Sequence, residues 1–132
     1  MQFETEGLRD PVVVIGFSGW NDAGNAASDI LRHLMEAYPG TDLGVIDDER
    51  YFDFQHTRPM LNQAADGPWV EWPALRIRAV HHPARDIVTI IGPEPNLLWR
   101  TFTRELVDRV KQTRAGLVVI LGAKLSDTPH SR

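Results

Sequence analysis

The segment "PVVVIGFS", Pro11–Ser18, constrains the fold of this chain more than any other. It is a continuous run of mostly β-branched apolar residues, a type that favours extended backbone. A run without polar alternation is the pattern of a strand covered on both faces, as in a parallel sheet. The following residues change period. Ala23, Ala26, Ala27, Ile30, Leu31, Leu34, Met35 and Tyr38 recur at spacings of three and four. That periodicity predicts an amphipathic helix over Asp22–Tyr38. Asn21 or Asp22 can cap its start, and Pro39-Gly40 ends it. "LGVID", Leu43–Asp47, returns to strand, so the first part of the chain reads as a βαβ unit with a right-handed crossover.

The same alternation reappears near the other end. "DIVTIIG", Asp86–Gly92, predicts a second buried strand, and "GLVVILG", Gly116–Gly122, a third. Between them Leu98, Trp99, Phe102, Leu106 and Val110 mark the apolar face of a helix over Pro95–Thr113. Pro95 would stand in its first turn, where a missing N–H costs nothing. Residues 48–80 are less regular and predict a loop-rich, partly β-hairpin insertion. In it "WVEW" alternates like a strand and Leu75–Val80 is its expected partner. Strand–helix–strand units flanking an irregular section predict an α/β fold, a three-layer αβα sandwich with a mostly parallel sheet.

At 132 residues the chain suits one domain with a self-sufficient core. It has no cysteine, which excludes disulfides and thiolate metal sites. No apolar run approaches membrane-spanning length and no leader pattern opens the chain, so a soluble, cytoplasmic protein is expected, not a membrane one. The net charge is −4, and the arginines are scattered rather than gathered in a stripe, so nucleic-acid binding is not expected.

In open α/β sheets ligands bind outside the carboxyl ends of the strands. Here those corners are "SGWND", "DDERYFDF", "GPEPN" and "GAKLSDTPH". They bring Asp22, Asp47, Asp48, Glu49, Glu94, Asp127 and His130 towards one rim. The first corner has the glycine spacing of a phosphate-binding loop, Gly19 to Gly24. The next two positions are Asn25 and Ala26, where that loop needs Lys and Ser or Thr. A dinucleotide fingerprint fails too, so no cofactor is expected. The glycines then serve to turn the backbone, and Asn21 and Asp22 to cap the helix. Trp20 either plugs the core under the loop or belongs to a binding surface. His81 and His82 are consecutive and would point to opposite faces of a strand, so no joint metal site is expected. His56 or His130 beside a rim carboxylate is the chemistry of a hydrolytic site, with Ser18 or Ser126 as conceivable nucleophiles, but no nucleophile elbow supports them. The acidic cluster could hold magnesium, but the same charges serve as plain solvated caps, and no metal is expected.

Four blocks occur in order: "GFSGWNDAGNAA", "YFDFQHTRP", "GPEPNLLWRTF" and "LGAKLSDTPHSR". Together they resemble the actinobacterial branch of the proteasome assembly chaperone 2 family. The resemblance implies a phosphorylase/hydrolase-like three-layer fold, protein partners of proteasome-related type and self-association. It also implies that the chain is the N-terminal part of a longer protein. The leading expectation is therefore a non-enzymatic, protein-binding assembly subunit. Trp20, Asn21, Asp22, Arg58, Glu94, Trp99, Asp127 and His130 are its candidate crevice or interface residues. The rival is a small-molecule hydrolase or transferase with Asp22, Glu94 and His130 as catalytic candidates and Arg58 holding an anion. A third reading is a domain without independent function.

Overall fold

The three apolar runs do form strands, but they do not share one environment. In the computed structural model, which describes residues 5, 7–19 and 22–127, seven strands and two α-helices follow in sequence. They are β1 (Val12–Ser18), α1 (Ala26–Ala37), β2 (Gly40–Ile46), β3 (Met60–Ala64), β4 (Gly67–Glu71), β5 (Leu75–His81), β6 (Asp86–Pro93), α2 (Trp99–Gln112) and β7 (Leu117–Leu121). Five of them build one sheet in the order β2-β5-β6-β1-β7, and β3 and β4 form a separate hairpin. β1 pairs in parallel with both β6 and β7, whereas β5 runs antiparallel to β2 and β6. Four of the five strands therefore point the same way, which makes the sheet mostly parallel.

Side-chain alternation assigns the faces. A side chain at Gly16 would meet Leu31 and Ala27 of α1, so α1 covers the face that carries Val12, Val14 and Gly16. Phe17 lies 6.5 Å, ring to ring, from Phe102 of α2, so α2 covers the opposite face. The result is an α/β architecture with a helix on each side of the sheet. The larger core lies under α2. Val13, Ile15, Val88, Ile90, Ile77 and Leu75 pack there with Tyr51, Phe52 and Phe102. Burial of each such side chain contributes about 2 kcal/mol.

Several expectations need correction. Leu75–Val80 does not pair with the Trp69 segment. Those residues belong to β5, between β2 and β6 in the main sheet, and Trp69 pairs with Asn62 across the hairpin. Arg76 and Arg78 interrupt the apolar residues of β5, because one face of this strand buries Leu75, Ile77 and Ala79, while the other carries the two arginines and buries only Val80. The first helix does not run from Asp22. A short 3-10 turn over Ala23–Asn25 precedes α1, and Gly24 (φ 64°) and Asn25 (φ 58°) separate the two. α2 begins at Trp99 rather than Pro95. The N–H groups of Asn96 and Leu97 both donate to the Tyr51 carbonyl, at 2.8 and 3.1 Å, which holds that segment out of the helix. β7 is a sheet edge rather than a buried strand, with Leu117, Val118 and Ile120 exposed.

Candidate functional site

The corner after β1 is organised by Asp22. Its N–H donates to the Gly19 carbonyl at 3.0 Å, which closes the turn. Its carboxylate accepts from the N–H groups of Ala27 (2.7 Å) and Ser28 (3.2 Å) and from the Ser28 hydroxyl. Those amides are orphan donors in the first turn of α1, so Asp22 caps the helix from outside it. Asn25, at the cap position itself, makes no side-chain cap bond. Asp22 is buried, yet its pKa is lowered, chiefly by the hydrogen bond from Ser28 and further by the two backbone amides. The corner is also tied to the chain leaving β7: Asp22 bridges Ala123, and Ala23 N–H donates to the Ala123 carbonyl at 3.1 Å. Two of the four motif corners therefore meet through backbone.

The other two meet through a latch. Asn96, in "GPEPN", accepts at Oδ1 from Asp53 N–H (2.8 Å) and from the Thr57 hydroxyl (3.0 Å). Tyr51 accepts the two amides already described, and its hydroxyl donates to Glu105 of α2 at 2.8 Å. Its ring stands edge-on to Phe102 at 5.3 Å. Burial, and then the bond to Glu105, push the Tyr51 phenol up to about 12. The aromatics of "YFDF" thus anchor the segment: Tyr51 and Phe52 are core residues and only their successors reach the surface.

The latch leaves a crevice of about 730 Å³ at the carboxyl ends of β1 and β6, lined among others by Ser18, His56, Thr57, Glu94 and Trp99. Glu94 also lines a smaller space of about 420 Å³ towards Phe17, Ile120 and Lys124. Glu94 therefore sits between two depressions, one on each side. Arg58 lines an adjoining pocket that shares Ser18 and Thr57 with the crevice. Of the residues expected at the rim, Glu94 and Trp99 share the crevice and Arg58 stands beside it. Asp22 faces the start of α1, and Asp127 is exposed beyond Ala123. Trp20, Asn21 and His130 lie outside the described residues. Thr57 and Asn96 carry the geometry but were not singled out from sequence. Their signal was present only as two short polar residues inside separate motif blocks. Among the described residues no group of three or more His, Asp or Glu side chains is gathered to hold a metal ion.

Known proteins place this arrangement. The model of the PAC2 family matches residues 16–132. The crystal structure of a proteasome-assembly chaperone homologue from Mycobacterium tuberculosis is similar with a TM-score of 0.82 at 45% identity, covering 92% of this chain and 52% of that one. A PAC2 family protein from Streptomyces avermitilis gives 0.79 at 38% identity, covering 93% and 54%. A Corynebacterium glutamicum protein of unknown function shares the fold, with a TM-score of 0.79 at 22% identity, covering 100% and 50%. This chain thus spans about half the length of the solved relatives it matches. No protein of curated function matches it.

Proposed function

This chain belongs to the PAC2 family, and from that premise we propose that it is a non-enzymatic, protein-binding subunit of the assembly-chaperone kind. Its partners in this reading are proteasome-related proteins, it self-associates, and it works in the cytoplasm. The similarity to a proteasome-assembly chaperone homologue supports the partner class. One structural observation carries the protein-binding part. The β3–β4 hairpin projects apolar side chains instead of burying them: Leu61 is 68% exposed and Val70, directly opposite, 45%. Trp72 is exposed just after the hairpin, and Met60 and Trp69 are exposed on its other face. Cross-strand apolar pairs normally face a core, and contiguous exposed ones mark interaction surfaces. Aromatic anchors such as Trp69 are the residues that dominate such contacts.

The rival hydrolytic reading needs Asp22 as a working carboxylate. Its oxygens are engaged by three donors at the start of α1, which argues against that role. No helix of the described residues is long and apolar enough to cross a membrane. The test is binding of the purified chain to purified proteasome core subunits, measured by co-sedimentation. Saturable binding that drops at least about tenfold in a Leu61→Ser/Val70→Ser variant is expected, since two apolar contacts are lost. Absence of any binding by the wild-type chain would sink the proposal.

A further inference from the structure

A third concavity, the pocket beside the crevice, takes in Met60 and Trp72 of the hairpin surface and adds charge to them. It measures about 440 Å³ and lies where α1, the turn after Thr57, the end of β4 and the end of β6 converge. Its floor is Ile91, Gly92 and Pro93. Gly92 is required there: a β-carbon would come within 2.8 Å of Leu75 Cα and closer still to the Ala74 carbonyl. Pro73 and Ala74, which carry the chain from the hairpin into β5, form one wall. Trp72 on that wall is braced by Phe54, ring to ring at 5.1 Å. Met35 and Met60 add apolar surface.

Charge sets this pocket apart in a chain whose net charge is −4. Arg32, Arg58 and Arg76 line it, and Glu71 is the one carboxylate among its lining residues. Glu71 is already engaged, by Asn62 Nδ2 at 2.9 Å and by Arg76 at 3.5 Å. Arg32 makes an exposed 3.4 Å pair with Asp29, a type worth little, and feels the Asp22 carboxylate at longer range. Arg58 has no ion-pair partner among the described residues. Guanidinium groups recognise carboxylate and phosphate oxygens through paired N–H donors. The volume lies in the range of small-molecule sites, which are typically apolar with a few placed polar groups.

We propose that this pocket binds a small organic anion, a carboxylate or phosphate carried on an apolar, ring-sized body. The guanidinium groups of Arg58 and Arg32 hold the anionic end, and Trp72, Met35 and Met60 cover the body. This goes beyond the protein-binding reading and does not depend on it.

The test is isothermal titration of the purified chain with phenyl phosphate, benzoate, inorganic phosphate and benzyl alcohol. Phenyl phosphate or benzoate is expected to bind saturably with a Kd of about 1 mM or tighter, ordinary for about ten heavy atoms. Which of the two binds more tightly identifies the anionic group. Arg58→Ala, at an exposed position, is expected to weaken that binding about tenfold and leave Tm unchanged. Four results would each overturn the proposal: no saturable binding, benzyl alcohol binding as well as either anion, inorganic phosphate binding as well as phenyl phosphate, or no effect of Arg58→Ala. Arg58→Glu guards the last arm, since reversing the charge must abolish binding if the guanidinium holds the anion.

Discussion

β1 and β7 lie side by side in parallel register, Val12 against Leu117 through Gly16 against Leu121, and their sequences are near twins. Their surroundings are opposite. β1 has a hydrogen-bonded strand on each side and a helix over each face, and Val13 and Ile15 are almost wholly buried. Among the described residues β7 has a neighbour on one side only, and Ile120, paired with Ile15, is 67% exposed. An apolar strand edge with no charge or proline in it is a surface that other chains can extend. The comparison teaches that an apolar run records a requirement for cover. It does not record where the cover comes from.

The largest effect expected from breaking this comparison is in the core. Ile15→Ala should lower unfolding stability in urea by about 3 kcal/mol, from lost burial and the cavity left behind. Ile120→Ala, one strand away, should cost less than about 1 kcal/mol, because most of its surface already meets water. Equal costs would mean that β7 is covered in solution, and the concentration dependence of the midpoint would then reveal a second copy.

Next comes the corner that ties the two strands together. Asp22→Ala removes the cap of α1 and leaves its amides and the Ser28 hydroxyl without their acceptor. A loss of about 2 kcal/mol is expected. Hydrogen exchange should show faster opening at Ala27 and Ser28 and at the Ala23–Ala123 contact. Opening confined to α1 would mean that β7 is held by β1 alone.

A smaller effect concerns the other flank of β1. Asp86 opens β6 and its carboxylate is 3% exposed. Burial works against its charge, but hydrogen bonds from the Arg9 side chain, His81 and the Arg9 N–H outweigh it and hold the pKa at about 2. The folded pKa is lower than the unfolded one, so this contribution is present above the unfolded value. It is lost as pH falls from the ordinary 3.8 towards 2. Because Arg9 is half exposed, about 1 kcal/mol is expected. The acid-unfolding slope below pH 4 should therefore be shallower in Asp86→Asn than in the wild type.

Smallest is Ile120→Lys, which places a charge on the open edge. Stability should change by no more than about 0.5 kcal/mol, while any self-association seen by sedimentation should weaken. Unchanged association would locate the contact elsewhere, with the β3–β4 hairpin the next surface to alter.

How much of this was legible beforehand depends on which side chains meet the core. β1, β6 and α1 announced themselves because both faces of the strands and one face of the helix are apolar. β5 was hidden because Arg76 and Arg78 occupy its outer face, so the strand looked like part of the irregular stretch before it. The start of α2 was misjudged because Pro95 suits a helix's first turn. The carbonyl of Tyr51, forty-odd residues earlier, instead captures the amides of Asn96 and Leu97. At the site, Asp22 was correctly suspected as a cap from its place before a helical pattern. The Asn96–Thr57–Asp53 latch was not foreseeable, since its members are ordinary polar residues until the fold brings them within hydrogen-bond distance.

By itself, then, the sequence determined the α/β class, the parallel strands and the set of motif corners, because periodicity and β-branching act locally and each segment carries its own signal. Only the tertiary structure decided which apolar run lies at an edge, which strand separates β2 from β6, and which corner residues line a crevice rather than cap a helix. Those outcomes depend on neighbours distant along the chain. A side chain's burial and a carboxylate's partners belong to the assembled contacts, and no single segment encodes them.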